Sequence, residues 1–205
     1  MDTKGRARHS VRAAFRITLH LPLVTHVGRG KIASDRPYPA RFSMNTVPRE
    51  FIVEAWERQC ALAEEPTRAL MGQFMTEQPA VGIYLTVCDE QLGDEREQSQ
   101  LIPLASAVWE AMTRMRGRRL KTVRPKIVER ADTSNIRMLE KLEDVSEYEW
   151  QESVEGMFLG YKQQPLLAFC IEILMARDEE APELAPQRIG MELNWLKTVI
   201  DCFDQ

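Results

Sequence analysis

Apolar side chains recur at every third or fourth position over most of the chain after residue 43, and prolines and glycines separate the runs. This spacing is typical of helices that bury one face. Prolines at helix starts and Ser, Thr or Asp at N-caps set the boundaries. The pattern predicts helices from Pro48 to about Ala63, from Pro66 through Phe74, from Pro79 to Gly93, over 95–116, from an Asp132–Ser134 cap through Leu142, from Ser146 to about Tyr161, from Pro165, and over a last run that contains Ile189 to Phe203.

No segment after residue 43 alternates between apolar and polar positions with the turn signals expected of strands. The fold class predicted from the pattern is therefore all-α: six or seven of these segments are expected to form a single helical bundle, preceded by an irregular N-terminal extension. Two places test this reading in detail. Pro103 inside 95–116 predicts either a kink or a later helix start. The helix from Pro165 is apolar nearly all round, which predicts that it is the central, buried one.

Individual side chains can also be assigned to the core by their spacing. Val87 and Ile136 each fall on the apolar stripe of their helix, so both are predicted to be buried. The tryptophans are interpreted in the same way, because large aromatic side chains mostly supply buried area. They are Trp56, Trp109, Trp150 and Trp195.

The last predicted helix carries an apolar seam with steps of four, three, four and three residues. Its members are Ile189, Leu193, Leu196, Ile200 and Phe203. The seam covers two heptads, fewer than the three or four that identify a coiled coil. It is expected either to seal the core of the bundle or to form a contact with a second copy of the chain.

Charge divides the chain into two parts at residue 43. Residues 1–43 hold nine Lys/Arg and two acids, for a net charge of +7, whereas residues 44–205 hold 18 Lys/Arg and 29 acids, for −11. Such asymmetry indicates two pieces of different origin. Residues 1–43 are interpreted as a disordered or non-native extension, either a transit peptide or, as we favour, sequence upstream of a true start at Met44. Residues 44–205 form the predicted helical domain.

The catalytic residues of several enzyme classes are missing after residue 43. All three histidines lie before it, so Ser-His-Asp and Cys-His systems lack their base and Glu-x-x-His di-iron sites cannot form. The chain has neither G-x-x-x-x-G-K-[ST] nor G-x-G-x-x-G, the glycine-rich loops that hold phosphates. The sequence therefore predicts no cofactor and favours a function other than catalysis.

The four cysteines, Cys60, Cys88, Cys170 and Cys202, are far apart and fall on apolar faces of predicted helices. We interpret them as buried, reduced thiols, which favours a cytoplasmic location. No C-x-x-C or His/Cys cluster suggests a metal site. The longest apolar run, PLLAFCI at 165–171, is too short for a membrane span.

Glu172 is the one candidate for a catalytic carboxyl group. It interrupts the most apolar helix, between Ile171 and Ile173. A buried carboxyl would have a raised pKa, as a general acid requires. The alternatives are a hydrated edge on this helix or an ion pair with an arginine, and we favour these alternatives because structural ion-pair networks perturb carboxylates as well.

The stretch RMRGRRLKTVRPK, residues 114–126 and here called the basic segment, contains seven basic residues and no acid. They are Arg114, Arg116, Arg118, Arg119, Lys121, Arg124 and Lys126. Such a cluster can bind nucleic acid by releasing counterions. However, the segment has no aromatic residue, and the net charge of −11 on residues 44–205 would repel a polyanion. We favour internal charge balance, in which the acidic stretch 140–155 lies opposite the basic segment.

Three hypotheses of function follow. The leading one is a cytoplasmic, non-membrane module that acts through contact with a protein partner or with a second copy of itself, as an adaptor or regulator. The second is a weak binder of nucleic acid or another polyanion through residues 114–126. The third is a carboxylate-based enzyme or ligand-binding bundle that uses Glu172.

Overall fold

The computed structural model describes residues 46–93, 99–141, 156–180 and 186–205, and these residues form helices and connecting turns with no strand among them. The all-α prediction is confirmed. The helices are α1 (Arg49–Ala61), α2 (Glu64–Glu77), α3 (Pro79–Glu90), α4 (Leu101–Arg116), α5 (Pro125–Lys141), α6 (Gln164–Glu180) and α7 (Pro186–Phe203), with a further helical turn at residues 156–159. The N-terminal extension, Trp150 and most of the helix predicted from Ser146 lie outside the described residues.

The central helix is α4, and not α6 as the sequence predicts. α4 packs against α1, α2, α3 and α7, whereas α6 packs mainly against α1 and α7. Small residues explain the difference, because Ala105, Ser106, Ala107 and Ala111 let neighbouring helices approach α4 closely, and all four are fully buried. The apolar side chains of α6 include Ile173 and Met175, which are only partly buried at its edge.

The two ends of α4 follow rules that the sequence makes visible. The helix begins at Leu101, which places Pro103 in the first turn, where a missing N–H costs no hydrogen bond. The later start is thus the correct one of the two alternatives. The helix ends at Gly117, whose φ of 61° is the left-handed conformation that glycine adopts without strain.

Helix α5 begins earlier than predicted. It starts at Pro125 and continues through Asp132–Ser134, so the N-cap predicted there is wrong. Pro125 has the fixed φ that suits the first position of a helix. Ile127 and Val128 then extend the apolar face upstream of the supposed cap. Because of this early start, the basic segment spans the end of α4, residues 117–124, which we call the linker, and the start of α5.

The tryptophans and cysteines are all predicted to be buried, and the structure confirms this for most of those that it describes. Trp109 and Trp195 are buried, and Trp56 is half-buried with its ring edge against Phe169. Cys88, Cys170 and Cys202 are buried free thiols, but Cys60 is exposed, so its predicted burial is wrong. The buried face of α1 passes through Ile52, Ala55 and Gln59, and Cys60 lies just beyond its edge.

No helix in the part of the chain that the structure describes is both long enough and apolar enough to cross a lipid bilayer.

We expect one of the four thiols to react rapidly with a disulfide reagent such as Ellman's reagent at mildly alkaline pH. Burial raises the pKa of Cys88, Cys170 and Cys202 to about 12, so these thiols stay protonated and covered, while Cys60 is accessible. Absorbance should report one fast equivalent in the native protein and four in urea. Cys60→Ser should remove the fast equivalent, and a second fast thiol in the native protein would contradict the assignment.

Candidate functional site

The linker within the basic segment is held in one conformation by Gln78. This side chain lies fully buried between α2 and α3. Its Oε1 accepts a hydrogen bond from the Val123 N–H at 3.0 Å, and its Nε2 donates to the Lys121 carbonyl at 3.3 Å. The Thr122 hydroxyl also donates to the Glu77 carbonyl at 3.3 Å. One glutamine therefore satisfies backbone groups on both sides of Thr122, as a neighbouring strand would.

The apolar side chains of the linker are buried, and its charged side chains are exposed. Leu120 and Val123 are buried in the core, whereas Lys121 and Arg124 are exposed. The two apolar residues anchor the linker and the hydrogen bonds of Gln78 fix its backbone. The charged side chains consequently project from a defined surface.

Two of the seven basic residues serve the fold rather than a surface. Arg114 donates to Glu54 Oε2 at 2.6 Å, and its guanidinium lies 5.2 Å from the centre of the Phe51 ring. Arg116 donates to the Phe203 carbonyl at 2.7 Å and thereby ties the end of α4 to the end of α7. Both contacts hold helices together.

The other five form an exposed set that we call the basic rim: Arg118, Arg119, Lys121, Arg124 and Lys126. Arg119 lies 3.5 Å from Glu77 but its side chain is 80% exposed, so this ion pair is weak. Among the residues that the structure describes, the side chains of the remaining four make no hydrogen bond or ion pair. Internal charge balance through Glu54 and Glu77 thus accounts for Arg114 and in part for Arg119. The predicted opposition to residues 140–155 falls almost entirely outside the described residues.

Glu172 is explained by an ion pair. Both of its carboxylate oxygens accept hydrogen bonds from the Arg49 guanidinium, one of them at 2.9 Å. Arg49 also lies 5.7 Å from the centre of the Phe169 ring. The Glu172 side chain is partly exposed, and its pairing with Arg49 is one of the two alternatives to catalysis that the sequence offers. The apolar neighbours of Glu172 in sequence therefore do not imply catalysis.

The apolar seam of the last helix lies mainly in the chain's own core. Leu196, Ile200 and Phe203 are buried, and Leu193 is half-buried. The side chain of Ile189 lies outside the described part. Because α7 packs against α4, α5 and α6, the seam meets other helices of the same chain. Three of the five seam residues therefore contribute to the chain's own core, and self-association through this helix stays a prediction.

A polar network that sequence reasoning missed joins α5 and α7. Asp201 accepts hydrogen bonds from Tyr161 at 2.7 Å, from Lys197 at 2.7 Å and from Asn135 at 3.0 Å. Asn135 also donates to the Thr198 hydroxyl at 3.0 Å. Only the Lys197–Asp201 spacing of four residues is visible in the sequence. Each of these polar groups has a partner, so the network acts as a structural contact between the helices.

Tyr84 and Asp132 extend polar contacts to α3. The Tyr84 hydroxyl donates to Asp132 Oδ1 at 2.6 Å, and burial, followed by this hydrogen bond, raises the pKa of Tyr84. Burial likewise raises the pKa of Tyr161, with Asp201 adding to the shift. Both tyrosines therefore remain protonated donors over the physiological range. Their role is to fix the helices beside each other.

Neither metal chemistry nor similarity assigns a function to the chain. In the described ranges, no three His, Cys, Asp or Glu side chains converge in a way that could hold a metal ion. We found no match to the chain among protein-family models, curated proteins or solved structures. The basic rim is therefore the feature of the described residues that best indicates a function.

Proposed function

We propose that this chain is a protein-interaction module that binds an acidic segment of a partner protein through the basic rim. The observation that supports the proposal is the linker backbone, which the hydrogen bonds of Gln78 fix in place. From this linker and the start of α5, five basic side chains project into solvent. A surface whose backbone is already ordered loses less conformational entropy on binding than a flexible basic tail does. The free thiols support a reducing compartment, so we propose the cytoplasm as the place of action.

The dimensions of the rim favour a short acidic peptide over a long nucleic acid. From Arg118 to Arg124 an extended chain covers about 20 Å, enough to meet a few carboxylates. No aromatic residue lies in the basic segment to stack on bases. The net charge of −11 on residues 44–205 also opposes the approach of an extended polyanion. Nucleic acid remains the second candidate because of the same exposed charges.

Charge reversal in the rim provides the test. We expect Lys121→Glu/Arg124→Glu in the full chain to weaken binding of a fluorescein-labelled twelve-residue polyglutamate about tenfold, because two attractive contacts become repulsive and about 1.4 kcal/mol is a tenfold change. Fluorescence anisotropy at low and moderate salt would measure the effect. The N-terminal extension is basic as well, so the comparison between variants, not the affinity alone, reports on the rim.

The matched control is Arg68→Glu/Arg137→Glu, which changes the net charge by the same amount at exposed positions on α2 and α5. It should change the affinity by no more than about twofold. Equal losses in both double variants would show that only net charge matters and would contradict the proposal. Tighter binding of a twelve-nucleotide oligothymidylate, with the same dependence on Lys121 and Arg124, would support nucleic acid instead.

A further inference from the structure

Three apolar side chains are exposed on α3 and α5 although their spacing predicts burial for two of them. Ile83 is 67% exposed, Val87 51% and Ile136 43%. Single exposed apolar residues are common on protein surfaces and carry no argument alone. What distinguishes these three is their position relative to one another and to the basic rim.

The two helices run side by side in the same direction, starting from the rim. Gln78 directly precedes α3, and its bond to Val123 joins that point to the linker just before α5. Further along, the hydrogen bond between Tyr84 and Asp132 joins the helices again. These two links set the register of α3 against α5.

This register places Val87 and Ile136 at the same level. Val87 is three residues beyond Tyr84, and Ile136 is four residues beyond Asp132, so each lies one turn above the bond that joins the helices. Ile83 is one turn below Val87 on the same exposed face of α3. The three residues thus form a patch on the outside of the helix pair, with Val87 and Ile136 side by side and Ile83 one turn nearer the rim; we call this patch the apolar strip.

The side of α5 that carries Ile136 is also defined. Asn135 points to α7, where it bonds to Thr198 and Asp201. Successive residues of a helix are turned by about 100° about its axis. Ile136 is therefore turned away from α7 and lies on the side of α5 that carries Asp132, next to α3. The strip begins about one to two turns from the rim, since Ile83 follows Gln78 by five residues at about 1.5 Å each.

We propose that the apolar strip and the basic rim form one docking site for an amphipathic helix of a partner protein, whose apolar face covers Ile83, Val87 and Ile136 and whose acidic end meets Lys121 and Arg124. The inference rests on the proposed function and names the kind of partner segment. Charge complementarity selects this occupant, because one end of the strip lies one to two turns from the linker that carries Lys121 and Arg124. Binding of a helix in a groove with apolar anchors one turn apart is a common mode of recognition.

The helix that carries most of the strip is firmly held. α3 packs closely on α2, since a Cβ added at Gly82 would lie 2.5 Å from Met75 Sδ. Leu85 and Val81 on the opposite face of α3 are buried in the core. Ile83 and Val87 are therefore presented by a rigid element, and their replacement removes exposed atoms without disturbing the core.

The test uses two designed peptides of eighteen residues with three glutamates at one end. One carries leucines at three positions one turn apart, and in the other serine replaces each leucine. We expect the leucine peptide to bind the full-length chain about tenfold more tightly or better, because burial of several apolar groups contributes at least that factor. In Ile83→Ser/Val87→Ser the ratio between the two peptides should fall severalfold, because two of the three apolar side chains that distinguish them are gone and only Ile136 remains.

Met157→Ser/Leu159→Ser is the matched control, because both residues are exposed and apolar but lie near α6. It should leave the ratio unchanged. A ratio near one in the wild-type chain, or a ratio that survives Ile83→Ser/Val87→Ser, would overturn the strip while leaving the rim intact. Failure of the rim would appear differently, as serine-peptide binding that Lys121→Glu/Arg124→Glu does not weaken.

Discussion

Replacing Gln78 with leucine should lower the free energy of unfolding by about 2–4 kcal/mol, because it leaves buried backbone groups without their partners. The Val123 N–H is buried and donates to Gln78 Oε1, and the Lys121 carbonyl accepts from Gln78 Nε2. Leucine has a similar volume and fills the space, so the loss reports the hydrogen bonds and not a cavity. Urea denaturation followed by circular dichroism measures the change.

The control for this substitution is Gln73→Leu. Gln73 lies on the exposed face of α2, where its amide donates to Glu77 Oε1 at 3.0 Å. Its replacement should change stability by no more than about 0.5 kcal/mol. Hydrogen exchange adds a local readout, since the Val123 amide should lose protection in Gln78→Leu. An unchanged stability together with a protected Val123 amide would show that Gln78 does not hold the linker.

Leu196→Ala should destabilise the chain by about 2–5 kcal/mol, because it creates a cavity among α7 and its neighbours. Leu196 is fully buried, whereas Leu193 on the same seam is half-buried. Leu193→Ala should therefore cost clearly less. Chemical denaturation of both variants gives the comparison.

Protein concentration separates the two roles that the seam could have. Replacing a core residue destabilises a monomer by the same amount at every protein concentration, whereas a chain that is stabilised by self-association has a denaturation midpoint that falls on dilution. We expect the midpoints of the wild type and of Leu196→Ala to stay constant over a hundredfold dilution. A midpoint of the wild type that falls on dilution would contradict the assignment of Leu196 to the core of a monomer.

The helices of this chain could be predicted from local signals, and the errors arose where tertiary contacts override them. Pro103 and Gly117 correctly mark the ends of α4, because their backbone preferences act within one turn. The cap predicted at Asp132–Ser134 failed since Asp132 accepts a bond from Tyr84 and lies inside α5. A capping signal alone does not reveal such a distant partner.

The charges of the basic rim are visible in the sequence, whereas the fixation of the linker and the exposure of the apolar strip are not. The cluster of charge in residues 114–126 is obvious, but its fixation by Gln78 joins residues more than forty positions apart. Glutamine is also a residue that is seldom fully buried, so nothing local marks it. Val87 and Ile136 follow core spacing, and only the packing of the helices shows that they face solvent.

The position of Gln163 indicates that the order of segments in the chain can be changed by protein engineering. Its buried amide accepts the Val47 N–H at 3.0 Å and donates to Asp204 Oδ1 at 2.7 Å, so residues at the two ends of the described helices meet at a single side chain. Domains whose first and last helices lie this close tolerate circular permutation and insertion into a loop of another protein. A short linker from Gln205 back to Thr46 would therefore close the helical part into a ring without displacing a helix.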